Sequence, residues 1–249
     1  MRKIKSAISF RWRAFRFFFT GKISFSCFFE QLFPRSRRSQ KNTSLKMFGK
    51  RFDMPIVDIG PFIELIHQIV EKDQYHTGLI KSGDVVVDAG ANTGVFSIFV
   101  AEKNPDVTIS AFEPTPETFS MLQKNTEQYP NVKCFNFALG EKNEKSSIVV
   151  TGRGGEANYI GEGGVPIEIK TIDSLSIPMN FLKMDVEGYE ANIIIGASET
   201  IKKYKPVVAM SAYHKPNDKT ELPALLNSII PYNCELRHDC EEDFICKAK

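Results

Sequence analysis

The sequence predicts an α/β protein built on a parallel sheet, and three observations carry the prediction. Short β-branched or apolar runs alternate with stretches of helical spacing through most of the chain. One run, DVVVDAGANTG at residues 84–94, passes from Val85, Val86 and Val87 through a turn containing Gly90 and Gly94. It then enters the apolar stretch 95–101, giving the order strand, tight loop, helix N-terminus. Finally, Asp88, Glu113, Asp185 and His214 each stand at or just past the carboxyl end of an expected strand. In an open parallel sheet those ends share one rim.

The front of the chain differs from the rest. Of 32 Lys and Arg residues, 12 lie at or before Lys46, where only one of the 30 acidic residues, Glu30, is found. Residues 1–45 are therefore expected to be a basic, aromatic extension with a linker at 34–44, and residues 46–249 the folded domain. In the extension Arg11, Arg13 and Arg16 interleave with Trp12, Phe15, Phe17, Phe18 and Phe19, which breaks the apolar core that a secretory signal needs. No stretch reaches the roughly 18 to 20 apolar residues of a membrane-spanning helix, so a cytoplasmic protein is expected. Rings beside arginines suit an anionic membrane surface or a docking partner, and equally a helix packed on the body. The acidic body argues against nucleic acid.

Along the body, residues 52–59 can form a lead-in strand. Phe62, Leu65, Ile66, Ile69 and Val70 then give helical spacing over 61–72, with His67 and His76 incidental. Residues 107–112 are a strand ending at Glu113, after which Thr115 and Pro116 open a helix carrying Phe119 and Leu122. A third strand covers 132–137. The apolar run 181–184 ends at Asp185 and is followed by a helix burying Ala191, Ile194, Ala197 and Ile201. A strand at 206–210 leads to Tyr213 and His214, and Leu222, Leu225, Leu226 and Ile229 mark one more helix. One region departs from this rhythm: 147–151 and 165–171 read as paired strands around GRGGEANYIGEGG. With six glycines in thirteen residues, that segment is either a hairpin tip or a flap over a site, and Arg153, Asn158 and Tyr159 are its candidate substrate contacts.

The rim residues suggest a ligand rich in donors. Gly90 allows close backbone approach or a positive φ, and Asp88 can accept hydrogen bonds from hydroxyl or ammonium groups. Glu113, at the end of the next strand, stands where a carboxylate takes both hydroxyls of a ribose. A dinucleotide fingerprint G-x-G-x-x-G is not met, because its second and third glycines would fall on Asn92 and Val95. A plain strand-to-helix turn is the non-functional alternative.

The segments VVVDAGANTG, AFEPTPETFSMLQKN, FLKMDVEGYEANIIIGA and MSAYHKPND, in this order, resemble the FkbM family of S-adenosylmethionine-dependent methyltransferases over roughly residues 52–249. The resemblance implies a Rossmann-like, seven-stranded class I methyltransferase sheet with an inserted β-hairpin, closed by strands at 236–238 and 244–247. It implies that Asp88, Gly90, Asn92 and Gly94 line the amino-acid end of the cofactor, that Glu113 holds its ribose, and that Phe137 and Ala138 lie near adenine. The activity it implies is O-methylation of a sugar hydroxyl on a glycan, a lipid-linked glycan or a glycosylated natural product. Methylation of an amine or small lipid, or a non-catalytic binding module, are the alternatives. In that setting residues 1–33 would meet the inner membrane surface or a glycosyltransferase.

An aliphatic hydroxyl is a poor nucleophile until its proton is leaving. His214, with an ordinary pKa near 6.5, is the first candidate base, and Asp185 the second, as base or as orienter of His214. Glu187 and Tyr213 are candidate substrate contacts. Asp185, Glu187 and His214 would also make a mixed oxygen and nitrogen set for a divalent cation, with Asp185 the candidate ligand. For Glu187, capping the following helix is the expected role. The five cysteines, Cys27, Cys134, Cys234, Cys240 and Cys246, are odd in number and lack a C-x-x-C pair, so neither a disulfide nor a zinc site is expected.

Overall fold

The computed structural model describes residues 42–55, 59–151, 158–238 and 240–249. The basic aromatic stretch 1–33 and Arg153 lie outside the described residues. The first element is an antiparallel hairpin of β1 (Asn42–Met47) and β2 (Lys50–Pro55). It starts within the stretch expected to be linker. The strand owes its existence to its partner: β2 buries Phe52 and Met54, and the Asp53 backbone exchanges hydrogen bonds with the Asn125 side chain. Helix α1 (Ile59–Ile66) follows and runs on as a π turn over His67–Glu71.

The central sheet contains β3 (Val85–Ala89), β4 (Thr108–Phe112), β5 (Val132–Phe135), β10 (Phe181–Met184), β11 (Val207–Ser211), β12 (Tyr232–Arg237) and β13 (Asp243–Ala248). Its order is β12-β13-β11-β10-β3-β4-β5, parallel from β11 to β5, with β13 antiparallel to both neighbours. Successive side chains of each strand enter opposite cores. Val86, Ile109, Phe181 and Ala209 pack on one face, and Val87, Leu182, Val208 and Met210 on the other. Helices α2 (Val95–Lys103), α3 (Pro116–Thr126), α5 (Glu190–Gly196), α6 (Ser198–Tyr204) and α7 (Asp218–Ile229) connect the strands. No helix among the described residues is long and apolar enough to cross a membrane.

Three local expectations are corrected. The helix expected after Asp185 is two helices, α5 and α6, broken at Ala197. There Gly196 packs so tightly on the Gly140 backbone that an added Cβ would lie 1.9 Å from the Gly140 carbonyl oxygen. The expected hairpin is part of a four-stranded sheet, in which β7 (Glu144–Val149) pairs antiparallel with β9 (Val165–Lys170), flanked by the short β8 (Tyr159–Ile160) and β6 (Ala138–Leu139). A four-residue helix, α4 (Ile172–Leu175), returns the chain to the central sheet. Cys234 and Cys246 form a disulfide, because β12 and β13 pair in the register Cys234↔Cys246. Cys134 is a free thiol.

Candidate active site

A cavity of about 480 Å³ opens at the carboxyl ends of β3, β4 and β10. Its floor is the turn after β3. Gly90 sits at φ 72°, and a Cβ placed there would lie 2.0 Å from the Asp185 carbonyl oxygen, so both conformation and contact require glycine. Asn92, at φ 50°, presents its backbone N–H to Glu113 Oε2 at 3.1 Å, and the Thr115 N–H donates to Glu113 Oε1 at 2.9 Å. Burial pushes the Glu113 pKa up, and those two backbone donors oppose the shift. Each carboxylate oxygen keeps acceptor capacity for a hydroxyl.

Of the residues picked from sequence, Gly90, Asn92, Glu113, Ala138, Asn158, Asp185, Glu187 and Tyr213 line this cavity. Others stand elsewhere. Asp88 is fully buried behind the turn, where Lys183 Nζ lies 3.0 Å from its Oδ1 and Ser97 Oγ donates to its Oδ2 at 2.7 Å. Gly94 precedes α2, with Leu122 packed where a Cβ would go. Phe137 joins an aromatic group with Phe112 and Phe135, and its ring lies under Lys170 Nζ. Tyr159 is 52% exposed and outside the cavity wall.

The second carboxylate group lies beyond β10. Tyr75 is buried and donates its hydroxyl to Asp185 Oδ2 at 2.9 Å. Burial and the nearby Asp185 raise the Tyr75 pKa, which keeps this donor protonated. His214 stands behind Asp185 and Glu187, its Nε2 3.6 Å from Asp185 Oδ1 and 3.6 Å from Glu187 Oε2. Its Nδ1 lies 3.0 Å from Glu190 Oε1. Burial alone would lower the His214 pKa, but the Glu190 hydrogen bond and the charges of Glu190, Asp185 and Glu187 outweigh it and raise the value to about 9. The expectation of an imidazole titrating near 6.5 is thereby corrected: at neutral pH His214 carries its proton. Glu190 also accepts from the backbone N–H groups of Val186 and Gly188, which ties down the turn that leads into α5.

Three residues of this arrangement were not picked from sequence. Lys183 interrupts an otherwise apolar strand, and its register partner is Asp88; a lysine in a buried parallel strand needs such a counter-charge. Its Nζ also donates to the Gly90 carbonyl at 2.8 Å, which ties the ion pair to the shape of the turn. Tyr75 and Glu190 carried no local signal, since their roles depend on contacts made across the fold.

A family model described as the methyltransferase FkbM domain matches residues 88–238. Methyltransferase 1 of Beauveria bassiana is 25% identical over 169 residues, covering 55% of this chain and 68% of the relative. Hexuronic acid methyltransferase AglP of Haloferax volcanii is 28% identical over 151 residues, covering 56% and 61%. Among solved structures, methyltransferase FkbM from Methylobacillus flagellatus superposes with a TM-score of 0.56 at 22% identity, covering 76% of this chain and 54% of that one. The present chain thus spans about half the length of that solved relative, whose likeness bears on the fold. With the rim of acidic residues, the seven-stranded sheet and a family match that covers most of the domain, the chain belongs to the FkbM family of S-adenosylmethionine-dependent methyltransferases.

Proposed function

We propose that the protein transfers a methyl group from S-adenosylmethionine to a sugar hydroxyl of a glycan or lipid-linked glycan. The observation that carries this reading is the pairing of Glu113 and Asp185 in one cavity. One carboxylate is set by backbone donors at a position suited to a ribose, and the other is fixed through one oxygen by Tyr75. The lining residues fit the cofactor chemically. Glu113 offers oxygens for vicinal hydroxyls, Ala138 and Leu139 give an apolar seat for a base, and Gly90 and Asn92 bring backbone close to the amino-acid end. When bound, the cofactor supplies an electrophilic methyl group on a sulfonium.

The chain's own part is alignment and proton handling. Asp185 lines the cavity and His214 does not, so Asp185 is the group that faces the reacting hydroxyl and accepts its proton. His214, held by Glu190 and charged at neutral pH, positions that carboxylate. Tyr213, Glu187 and Asn158 would contact the acceptor. The relative named for a hexuronic acid favours a sugar acceptor. Among the described residues Asp185 and Glu241 line the cavity, while Lys183 is turned to Asp88, which favours a neutral sugar over a uronate. Residues 1–33 would hold a cytoplasmic enzyme close to membrane-bound glycan or to a glycosyltransferase.

The test is transfer of a labelled methyl group from S-adenosylmethionine to matched neutral, amino and uronic oligosaccharides. Label on the neutral sugar is the expected result. Label on an amine or lipid acceptor alone would overturn the assignment.

A further inference from the structure

We propose that Asp185, Glu187 and His214 form a binding site for one divalent transition-metal cation at the cavity wall, with Glu190 orienting the imidazole from behind. The geometry comes first. A carboxylate oxygen of Asp185, one of Glu190 and an imidazole nitrogen of His214 all lie within 4.8 Å of one another. His214 Nε2 is 3.6 Å from Asp185 Oδ1 and 3.6 Å from Glu187 Oε2, too far for hydrogen bonds. Two atoms each about 2.1 Å from a common ion stand about 3.0 Å apart at a right angle and about 3.4 Å apart at a tetrahedral one. A small contraction of the two 3.6 Å spacings, with the ion displacing the Nε2 proton that His214 carries without it, is what shared coordination requires.

An independent observation lies behind this front. Glu190 is 1% exposed, and its Oε2 has no hydrogen-bond partner, although Oε1 receives two backbone N–H groups and the His214 ring. A carboxylate oxygen taken fully out of water and left unpaired is costly, and positive charge held on the imidazole in front of Glu190 offsets that cost. The second ring nitrogen of His214 is already fixed by Glu190, the usual way a metal-binding imidazole is oriented. Carboxylates with one imidazole suit Mn²⁺ or Zn²⁺ better than Mg²⁺ or Ca²⁺, which favour all-oxygen sets. Asp185 and Glu187 line the cavity, so an acceptor hydroxyl can complete the coordination shell. The role of the ion toward an acceptor rests on the methyltransferase reading; its binding does not.

The test is calorimetric titration of the chelator-treated full chain with Mn²⁺, checked by loss of the free Mn²⁺ electron paramagnetic resonance signal. S-adenosylhomocysteine is titrated in parallel. One ion per chain is expected, with affinity at least tenfold weaker in Glu187→Gln and in Asp185→Asn. Wild-type protein that binds S-adenosylhomocysteine but not Mn²⁺ or Zn²⁺ would overturn the metal site alone. Unchanged Mn²⁺ affinity in both variants would overturn it as well. Variant-sensitive Mn²⁺ binding without S-adenosylhomocysteine binding would uphold the metal site and count against the methyltransferase reading.

Discussion

Asp88 lies in β3 and Asp185 just past the end of its neighbour β10, yet the fold treats their charges in opposite ways. Asp88 is closed off: Lys183 and Ser97 occupy it, and the pair holds the turn at Gly90 from behind. Asp185 faces the cavity, in company with Glu187 and Glu190 around a single histidine. Charge balanced inside the fold serves shape, and carboxylates gathered at a cavity wall are available to a ligand. Asp243 shows a third solution. It is buried next to Gln74 and Ser211, with Asp185 and Glu241 close by, and burial above all raises its pKa to about 7.

The largest effect should come from opening the closed pair. Lys183→Met or Asp88→Asn leaves one buried charge unpartnered and is expected to cost about 3–5 kcal/mol of stability in urea unfolding. The double variant should cost less than the two singles together. If either single variant were neutral, the structural role given to Asp88 would fail. Asp185→Asn makes the converse case. It should leave the unfolding midpoint near wild type, keep cofactor binding, and lower turnover roughly 10²- to 10⁴-fold once an acceptor is in hand.

Asp243 sharpens the comparison through pH. Its folded pKa is raised, so between about pH 4 and 7 the native state holds a proton that the unfolded chain has released. The stabilisation is complete below the unfolded value and is lost as pH rises through about 7. Urea midpoints measured at pH 5 and pH 8 should show a decline in wild type that Asp243→Asn reduces. The smallest effect belongs to an exposed pair, Lys219 with Glu242 at 2.6 Å, where Lys219→Ala should cost under about 1 kcal/mol.

How much of this was legible in the sequence follows the same division. The valine run, the glycine turn and the carboxylates at strand ends are local patterns: they placed β3 and β10, and of the rim residues Glu113 and Asp185 do line one cavity while Asp88 and His214 do not. The Lys183–Asp88 pair depends on parallel register, which no single strand records. The disulfide was missed because the strand was expected to begin at 236. The polar residues Asn233 and Glu235 hid its first half, where Cys234 meets Cys246. Glu190 looked like an ordinary first-turn acid, and only the fold brings His214 to it.

The central claim is that Glu113 marks the ribose end of a cofactor site. Calorimetric titration of wild-type protein and Glu113→Ala with S-adenosylhomocysteine tests it most directly. Micromolar binding in wild type, lost in a variant that remains folded, is the predicted result. Equal affinity in both proteins, or no binding by folded wild type, would contradict it.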